Sequence, residues 1–318
     1  MWLIFLLYFL MASTFTLAKT AVFYMHPVYF IGLRMLIAGS ALLGYLYWFK
    51  REHWRSIASD RWQFSQIVIF HIYCSYVFEY WALQYITSSK VCLLYNLSPF
   101  ITALIVYLLF KQKLTTQKWI GLAIGFAAML PILATHSSQE DSFASIGFLS
   151  LPELSLLFAV VSAAYGWIIM KDLVVDKHYN PMMVNGFGMA GGGLAALLTA
   201  FVFEGFSPFI WPTHAEDKVG TLLMPLLGST GTTIAMGMGC MIALIIISNI
   251  IGYNLYGNLL RRYSATLLSF AGFMTPFFAS LFGWYFLAEP LTGAFFISLA
   301  ITVIGLYLFY EDEMRASA

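Results

Sequence analysis

The sequence predicts an all-α membrane protein with ten transmembrane helices, arranged as two inverted repeats of five helices. Three observations lead to this fold class. Of the 318 residues, 61% are hydrophobic and only 10% are charged, whereas about a quarter of the residues in a soluble domain carry charge. Apolar stretches of membrane-spanning length follow one another along almost the whole chain. Two stretches, one in each half of the chain, also align with each other after a shift of 177 residues.

The apolar stretches are predicted to be helices, because an open strand would leave backbone polar groups unpaired in lipid. A helix needs about 20 mostly apolar residues to cross the hydrocarbon core, since it rises about 1.5 Å per residue. The predicted spans are 2–23, 28–49, 64–85, 89–110, 117–135, 148–170, 181–203, 233–257, 265–287 and 292–310. The first lacks a basic leader region and is longer than a typical signal-peptide core, so we interpret it as a retained span.

Basic residues are concentrated in the loops on one side of the predicted bundle. With a cytoplasmic N-terminus, the inner loops receive Lys50, Arg51, Arg55, Arg61, Lys111, Lys113, Lys118, Lys171, Lys177, Arg261, Arg262 and Arg315. The outer loops keep Lys90 and Lys218. Because cytoplasmic loops carry the excess of lysine and arginine, both termini are predicted to be cytoplasmic. We expect an integral, multi-pass protein of a bacterial inner membrane.

An internal repeat is visible around two prolines. The stretch "YITSSKVCLLYNLSPF" (85–100) aligns with "RYSATLLSFAGFMTPF" (262–277), which places Pro99 over Pro276. Such self-similarity at a fixed offset indicates a duplicated structural unit.

The repeats are predicted to cover residues 1–140 and 145–312, the second with a long outer loop at 204–232. Each repeat holds an odd number of spans, so the second enters the membrane from the opposite side. Inverted repeats of this kind are typical of transporters, whose halves rock about a site near the middle of the membrane.

One carboxylate lies deep in the third span. A charge at the bilayer centre costs about 2.5–3.5 kcal/mol on insertion scales, and Glu79 is too deep to reach either surface easily. Tyr76, Glu79 and Tyr80 recur at three- and four-residue spacing, so they share one helix face. This face suits a cationic or amino-bearing solute through ion pairing and cation–π contact. Alternatively, Glu79 pairs with Lys19 or Arg34 as a structural lock, or it carries a proton without touching substrate.

Two cations lie in the first two spans. Lys19 is close to a helix end, where its ammonium can reach the membrane interface. Arg34 lies about two turns inside the second span, and we expect it to hold either a substrate carboxylate or the carboxylate of Glu79. A salt bridge that opens and closes can itself act as a gate, so Glu79, Lys19 and Arg34 are the predicted gating or coupling residues.

The remaining candidates are polar or aromatic residues within other spans. The eighth span offers an amide and two tyrosines at helical spacing, and the sixth offers two aromatic residues. Asn96 precedes Pro99, which frees a backbone carbonyl one turn earlier. Membrane-interface anchoring is the alternative role for the tyrosines. The predicted substrate site comprises Glu79, Tyr76, Tyr80, Arg34, Asn96, Asn249, Tyr253, Tyr256, Trp167 and Tyr165.

Several classes of function are disfavoured by composition and motif content. The net charge of +1 argues against nucleic-acid binding. Cys74, Cys92 and Cys240 are isolated, so we expect buried apolar residues and neither a metal site nor a disulfide. No ATP-binding or hydrolase motif occurs, so we expect no cofactor and no catalytic residues. A channel and a membrane-embedded enzyme are the alternatives from other classes.

The order and doubling of several short motifs resemble EamA-type members of the drug/metabolite transporter superfamily. The resemblance lies in the stretch from Ser13 through Lys19 and Pro27 to Arg34, the Pro99 and Pro276 spans, and "LAEPLTGAFF" (287–296). It covers about residues 10–310 and implies inverted five-helix repeats and transport of small organic solutes. Gln112, where the family often has Glu, and Gly188, at the position equivalent to Arg34, depart from the pattern.

The leading hypothesis is secondary active transport by alternating access, driven by a proton or a counter-transported solute. The expected partners are a small-molecule substrate and the lipid bilayer, for a monomer or homodimer. Amino acids or amino-acid-like, cationic compounds, exported or exchanged, fit one buried carboxylate with one guanidinium. The alternative is uptake or exchange of S-adenosylmethionine or a nucleotide-type metabolite. Related transporters of intracellular bacteria take up S-adenosylmethionine, and tyrosines beside Glu79 suit a sulfonium.

Overall fold

The computed structural model describes residues 2–111, 115–128, 130–133, 145–146, 149–205, 207–209, 230–252, 255–256, 259, 272 and 274–316. Most of these residues are helical, and six helical segments among them are long and apolar enough to cross a membrane. The protein is therefore an all-α, multi-pass membrane protein. The number of ten spans stays a prediction, because parts of the eighth and ninth predicted spans, including most of 253–273, lie outside the described residues.

The first half begins with two long antiparallel helices. They are α1 (Trp2–Tyr24) and α2 (Pro27–Phe49), and the proline at the start of α2 is typical of a first helical turn. The third span is one continuous helical rod, made of α3 (Arg61–Gln66), a π-helical stretch (Ile67–Cys74) and α4 (Ser75–Leu83). The fourth span is broken into α5 (Ser88–Tyr95) and α6 (Ser98–Phe110) next to Pro99, whose nitrogen cannot donate. Then follow α7 (Thr116–Ala127) and α8 (Leu130–Leu133).

The second half opens with a hairpin of β1 (Ser145–Ile146) and β2 (Leu149–Ser150). The sixth span therefore starts as α9 (Leu151–Lys171) rather than at the predicted residue 148, because Ser150 and Glu153 form a capping box at Leu151. A π-helical stretch (Asp172–Asp176) extends α9. The other helices are α10 (Pro181–Phe203), α11 (Thr230–Leu244) with a π-helical extension (Ile245–Gly252), α12 (Met274–Leu287) and α13 (Gly293–Ala316).

Helices from the two halves pack against each other along their lengths. The main pairs are α2 with α10, α7 with α13, α4 with α9, and α1 with both α11 and α12. The largest helix contacts of the described residues thus join the two halves. A central apolar cluster includes Phe30, Tyr80, Leu94 and Met189.

The pair α2–α10 crosses with its backbones in contact. A Cβ atom added to Gly39 would lie 2.4 Å from the backbone nitrogen of Ala190, and one added to Gly193 would lie 2.5 Å from that of Leu36. Only glycine allows such an approach, and small residues let membrane helices pack closely.

The described part of the predicted outer loop 204–232 holds the start of α2. The Glu204 carboxylate accepts hydrogen bonds from the backbone N–H groups of Val28 and Tyr29 at 3.1 and 2.9 Å. This places a negative charge at the positive end of the α2 dipole. The loop ends earlier than predicted, because α11 already begins at Thr230.

Candidate functional site

A cavity of about 340 Å³ lies between the two halves. Its walls come from α1, α2, the rod Ile67–Leu83, α5 and α9, and from Ser248, Gly252 and Tyr256 of the eighth predicted span. The volume is at the lower end of the range usual for small-molecule sites. Such a chamber between packed helices is where a membrane transporter holds its substrate.

Arg34 lies at the wall of this cavity and is only 2% exposed. Its Nε and Nη2 atoms donate to Oδ1 of Asn249 at 3.1 and 3.0 Å, and Nη1 donates to the Tyr80 hydroxyl at 2.8 Å. The guanidinium carbon also lies 5.8 Å from the centre of the Tyr76 ring. A guanidinium has five N–H donors. Arg34 is therefore held by residues of both halves, and two of its N–H groups have no partner among the described residues and can serve a ligand.

Glu79 lies on the same wall and is 7% exposed. Its Oε2 atom accepts a hydrogen bond of 2.7 Å from the Tyr95 hydroxyl of α5. In this conformation Glu79 bonds Tyr95 while Arg34 bonds Asn249 and Tyr80, and a structural lock between Glu79 and Lys19 or Arg34 stays a prediction. A carboxylate that keeps one oxygen for a ligand can attract a cationic group.

The Lys19 side chain lies at the end of the predicted third span, 64–85. The side chain is buried, and its ammonium donates to the backbone carbonyls of Leu83 and Ile86 at 2.5 and 2.7 Å. Leu83 is the last residue of α4 and Ile86 lies in the turn after it, so the ammonium is at the C-terminal end of the helix, where a cation is favoured by the helix dipole. Lys19 is absent from the described cavity wall, so any part it has in gating acts through the position of α4.

The structure brings most of the predicted site residues together. Those that line the cavity are Arg34, Tyr76, Glu79, Tyr80, Trp167 and Tyr256. Asn249 contributes through Arg34 rather than as part of the cavity wall. Tyr253 lies outside the described residues.

Two predicted site residues lie away from the described cavity wall. Asn96 caps the C-terminal end of α5, and its Nδ2 atom is buried without a hydrogen-bond partner among the described residues. The Tyr165 hydroxyl accepts a hydrogen bond of 3.0 Å from Gln66. Tyr165 and Trp167 cannot share a helix face, because side chains two positions apart on an α-helix point in directions that differ by about 200°.

Further cavity residues were not predicted as part of the site. They are chiefly His71, Ser75, Tyr95, Tyr8 and Ser248. His71 and Ser75 precede Glu79 by eight and four residues, so helical spacing alone could have identified them. Tyr95 carries no such signal, since its place depends on how α5 packs beside α4 and α9.

Comparison with a solved structure supports the fold. A protein crystal structure that is 17% identical aligns with a TM-score of 0.56, over 99% of this chain and 98% of the other. At this identity the likeness concerns the fold alone.

Several curated proteins have a higher sequence identity to this chain than that structure has. An "S-adenosylmethionine/S-adenosylhomocysteine transporter" of Chlamydia muridarum (strain MoPn / Nigg) is 32% identical, over 98% of this chain and 92% of its own. One of the same description from Chlamydia trachomatis serovar L2 is 33% identical, over 98% of this chain and 89% of its own.

The family resemblance expected from the sequence is confirmed. The profile of the EamA-like transporter family matches residues 1–134 and 150–311, which is most of the chain. The family and the relatives are transporters rather than enzymes. This chain, a multi-pass membrane protein with a chamber between its halves, belongs to the EamA-like transporter family.

Proposed function

We propose that this transporter exchanges S-adenosylmethionine and S-adenosylhomocysteine across the membrane. The observation that carries the proposal is the identity of 32–33% over 98% of the chain with transporters described for these two compounds. The relatives favour this alternative over the amino acids that the sequence first suggested. The amino-acid hypothesis has no support beyond the charges of the site.

The cavity chemistry fits the amino-acid head of these compounds. The two remaining N–H groups of Arg34 can bind the carboxylate of the head, since arginine recognises carboxylates through a planar pair of donors. Glu79 can accept the ammonium group, and it also lies where a sulfonium would be attracted. Tyr76 supplies an aromatic face beside the guanidinium, and such faces attract cations.

One site can serve both compounds because they differ by a single methyl group and its positive charge. Their shared parts can make the same contacts, while Glu79 favours the charged form. The concentration gradient of one compound can then drive the other in exchange. No ATP-binding motif occurs in the sequence, which is consistent with such a mechanism.

The proposal includes ten helices in two inverted repeats. It is supported by the helix pairs, which are unchanged when each element is replaced by its repeat counterpart. The pair α6–α9 becomes α12–α1, and the packing of the π-helical stretch Ile67–Cys74 on α9 becomes that of Ile245–Gly252 on α1, while α2–α10 and α7–α13 map onto themselves. The two segments that match the family profile also coincide with the two predicted repeats.

The proposed mechanism is alternating access, with the cavity open toward the cytoplasm in this conformation. The cavity extends along α1 to Tyr8, in its N-terminal half. A group of buried polar contacts between the halves lies at the opposite end. There Lys90 pairs with Glu153 at 2.5 Å, and Glu289 accepts from the backbone and side chain of Ser88 at 2.7 and 2.8 Å. These buried contacts would have to open for the site to face outward.

Counterflow in proteoliposomes tests the proposed substrates. Vesicles loaded with unlabelled S-adenosylmethionine or S-adenosylhomocysteine should accumulate labelled S-adenosylmethionine transiently, whereas unloaded vesicles and protein-free vesicles should not. Vesicles loaded with methionine, other amino acids or ATP test the amino-acid and nucleotide hypotheses in the same assay. Accumulation driven by amino acids but by neither S-adenosylmethionine nor S-adenosylhomocysteine would contradict the proposal. A leak that does not depend on loading would indicate a channel.

A further inference from the structure

A buried histidine at the cavity wall has a hydrogen-bonding capacity that the protein does not use. His71 lies in the π-helical stretch Ile67–Cys74, is 3% exposed and lines the cavity. The Ala163 backbone is close to the ring, but neither ring nitrogen makes a hydrogen bond of normal geometry within the described part of the chain. Leaving a buried polar group unsatisfied is costly, so such a group calls for a partner that the protein itself does not provide.

Helix α9 holds the imidazole in this position. A Cβ atom added to Gly166 would lie 2.5 Å from Cβ of His71, so the two helices touch at this point. The Trp167 ring, which also lines the cavity, meets the imidazole edge-on with 4.7 Å between ring centres and an angle of 76°. His71 and Trp167 therefore pack against each other within the cavity wall.

This pair lies at a distance from the charged residues of the site. His71, Ser75 and Glu79 follow at four-residue steps along one helical rod, and all three line the cavity. Eight residues correspond to roughly 12 Å along an α-helix, and somewhat less where the helix is a π-helix. The cavity thus has a charged end, with Arg34 and Glu79, and an aromatic end, with His71 and Trp167.

We propose that His71 and Trp167 form the subsite for the purine base of a nucleoside-containing substrate, while Arg34 and Glu79 hold its amino-acid head. The inference rests on the proposed function and names residues for the half of the substrate that Arg34 and Glu79 leave unassigned. A neutral imidazole carries one donor and one acceptor nitrogen, which point to different sides of the ring, so the nitrogen that faces the cavity can bond to a donor or an acceptor atom on a purine edge. The indole offers a large aromatic surface against which a flat base packs.

This arrangement also explains selection against free amino acids. A substrate without a base would fill only the charged end and leave the imidazole unsatisfied. A site built around a buried polar group discriminates strongly against ligands that cannot bond to it.

The test compares the two halves of the substrate as separate competitors. In the wild-type transporter, methionine and adenosine are each titrated against binding of labelled S-adenosylmethionine. The variant His71→Phe keeps an aromatic ring but removes both nitrogens. It should weaken S-adenosylmethionine about tenfold, as expected for the loss of one or two hydrogen bonds. In the same variant, the ability of adenosine to displace labelled S-adenosylmethionine should weaken to a similar extent. The ability of methionine to displace it should not weaken.

Matched variants keep the test decisive. Tyr165→Phe, on the same helix but off the cavity wall, should leave both competitions unchanged. His71→Gln, which restores a donor and an acceptor, should recover part of the affinity. If His71→Phe does not fold, Trp167→Leu takes its place with the same expected pattern.

Two outcomes separate the failure of this inference from that of the proposed function. The purine subsite would be overturned if, in folded variants, competition by methionine and by adenosine weakened equally or if neither weakened. The proposed function would stand in that case, because S-adenosylmethionine still binds the wild type. If the wild type binds no S-adenosylmethionine at all, the proposed function fails with it. Folding is checked in each variant by its thermal unfolding without ligand.

Discussion

Arg34 keeps its charge in the membrane interior by hydrogen bonds to neutral groups. Asn249 accepts two of these bonds and Tyr80 accepts a third. A buried cation whose bonds are satisfied in this way is far less costly than one left in lipid. Asn249 is therefore a positioning residue that fixes the direction of the guanidinium.

Asn249→Leu should destabilise the protein by about 1.5–3 kcal/mol, because hydrogen bonds to a charged group are lost without a substitute. Unfolding in detergent followed by denaturant titration measures the change. Asn185 is similarly buried, but its Oδ1 atom makes no hydrogen bond to the described residues. Asn185→Leu is therefore the matched control and should have little effect. An equal loss in both variants would show that Arg34 does not depend on Asn249.

Glu79→Gln should lower S-adenosylmethionine exchange at least tenfold while the protein stays folded. The amide oxygen can still accept the bond from Tyr95, whereas the negative charge that attracts a cation is removed. Initial exchange rates in vesicles of equal protein content provide the measurement. Asp176→Asn changes an exposed acid outside the cavity and should leave the rate unchanged. Wild-type exchange by Glu79→Gln would remove this carboxylate from the mechanism.

The start of α3 is tied to the segment after α9 by a polar cluster around Asp60. Its carboxylate accepts hydrogen bonds from the Lys177 ammonium and from the Tyr179 hydroxyl, the latter at 2.8 Å. Lys177, followed by Tyr179, lowers the pKa of Asp60 from its ordinary value of 3.8 to about 2. The same contact with Asp60 raises the pKa of Lys177. The cluster connects the third and seventh spans on the predicted cytoplasmic side.

Because its pKa is lower in the folded state, Asp60 stabilises the fold above pH 3.8, and this contribution is lost as the pH falls toward about 2. Asp60→Asn should lower the unfolding temperature near neutral pH. The unfolding temperature of this variant should then decrease less than that of the wild type as the pH is lowered. A thermal series from pH 7 to strongly acidic conditions, in low and high salt, measures both effects. The effect should be small and weakened by salt, because the pair lies at the protein surface and is partly exposed. Parallel curves for both proteins would contradict the assignment.

In the described part of the chain, two groups of polar contacts join the halves at opposite ends of the bundle. Lys90, Glu153 and Glu289 connect the halves at the predicted outer end, while the Asp60 cluster lies at the inner end. The cavity lies between these levels and extends into the N-terminal half of α1. Alternating access requires that the outer contacts open while the inner side closes.

Labelling of a cavity cysteine from each side of the membrane tests both the orientation and this conformation. In a variant with Cys74, Cys92 and Cys240 replaced by alanine, Thr14→Cys lines the cavity. An impermeant maleimide should label it in inside-out vesicles but not in intact cells. Ser59→Cys, in a predicted cytoplasmic loop, controls for sidedness. Labelling of Thr14→Cys from the cell exterior alone would contradict the inward-open assignment.

Much of the site follows from local pattern. Helical spacing places Tyr76, Glu79 and Tyr80 on one face, and the structure has all three on the cavity wall. The cost of a buried charge likewise marks Arg34 and Glu79 as interior residues before any fold is known. The same spacing could have added His71 and Ser75.

The partner of each of these side chains was not predictable in the same way. Arg34 and Asn249 are 215 residues apart, and Lys19 bonds carbonyls 64 and 67 residues away. Tyr165 is aromatic and two residues from a cavity residue, yet it faces elsewhere. Periodicity is a property of one helix and can be obtained from the chain alone, so it identified which residues face inward. Which groups then meet depends on how distant helices cross and rotate, and that is decided by the packing of the whole bundle.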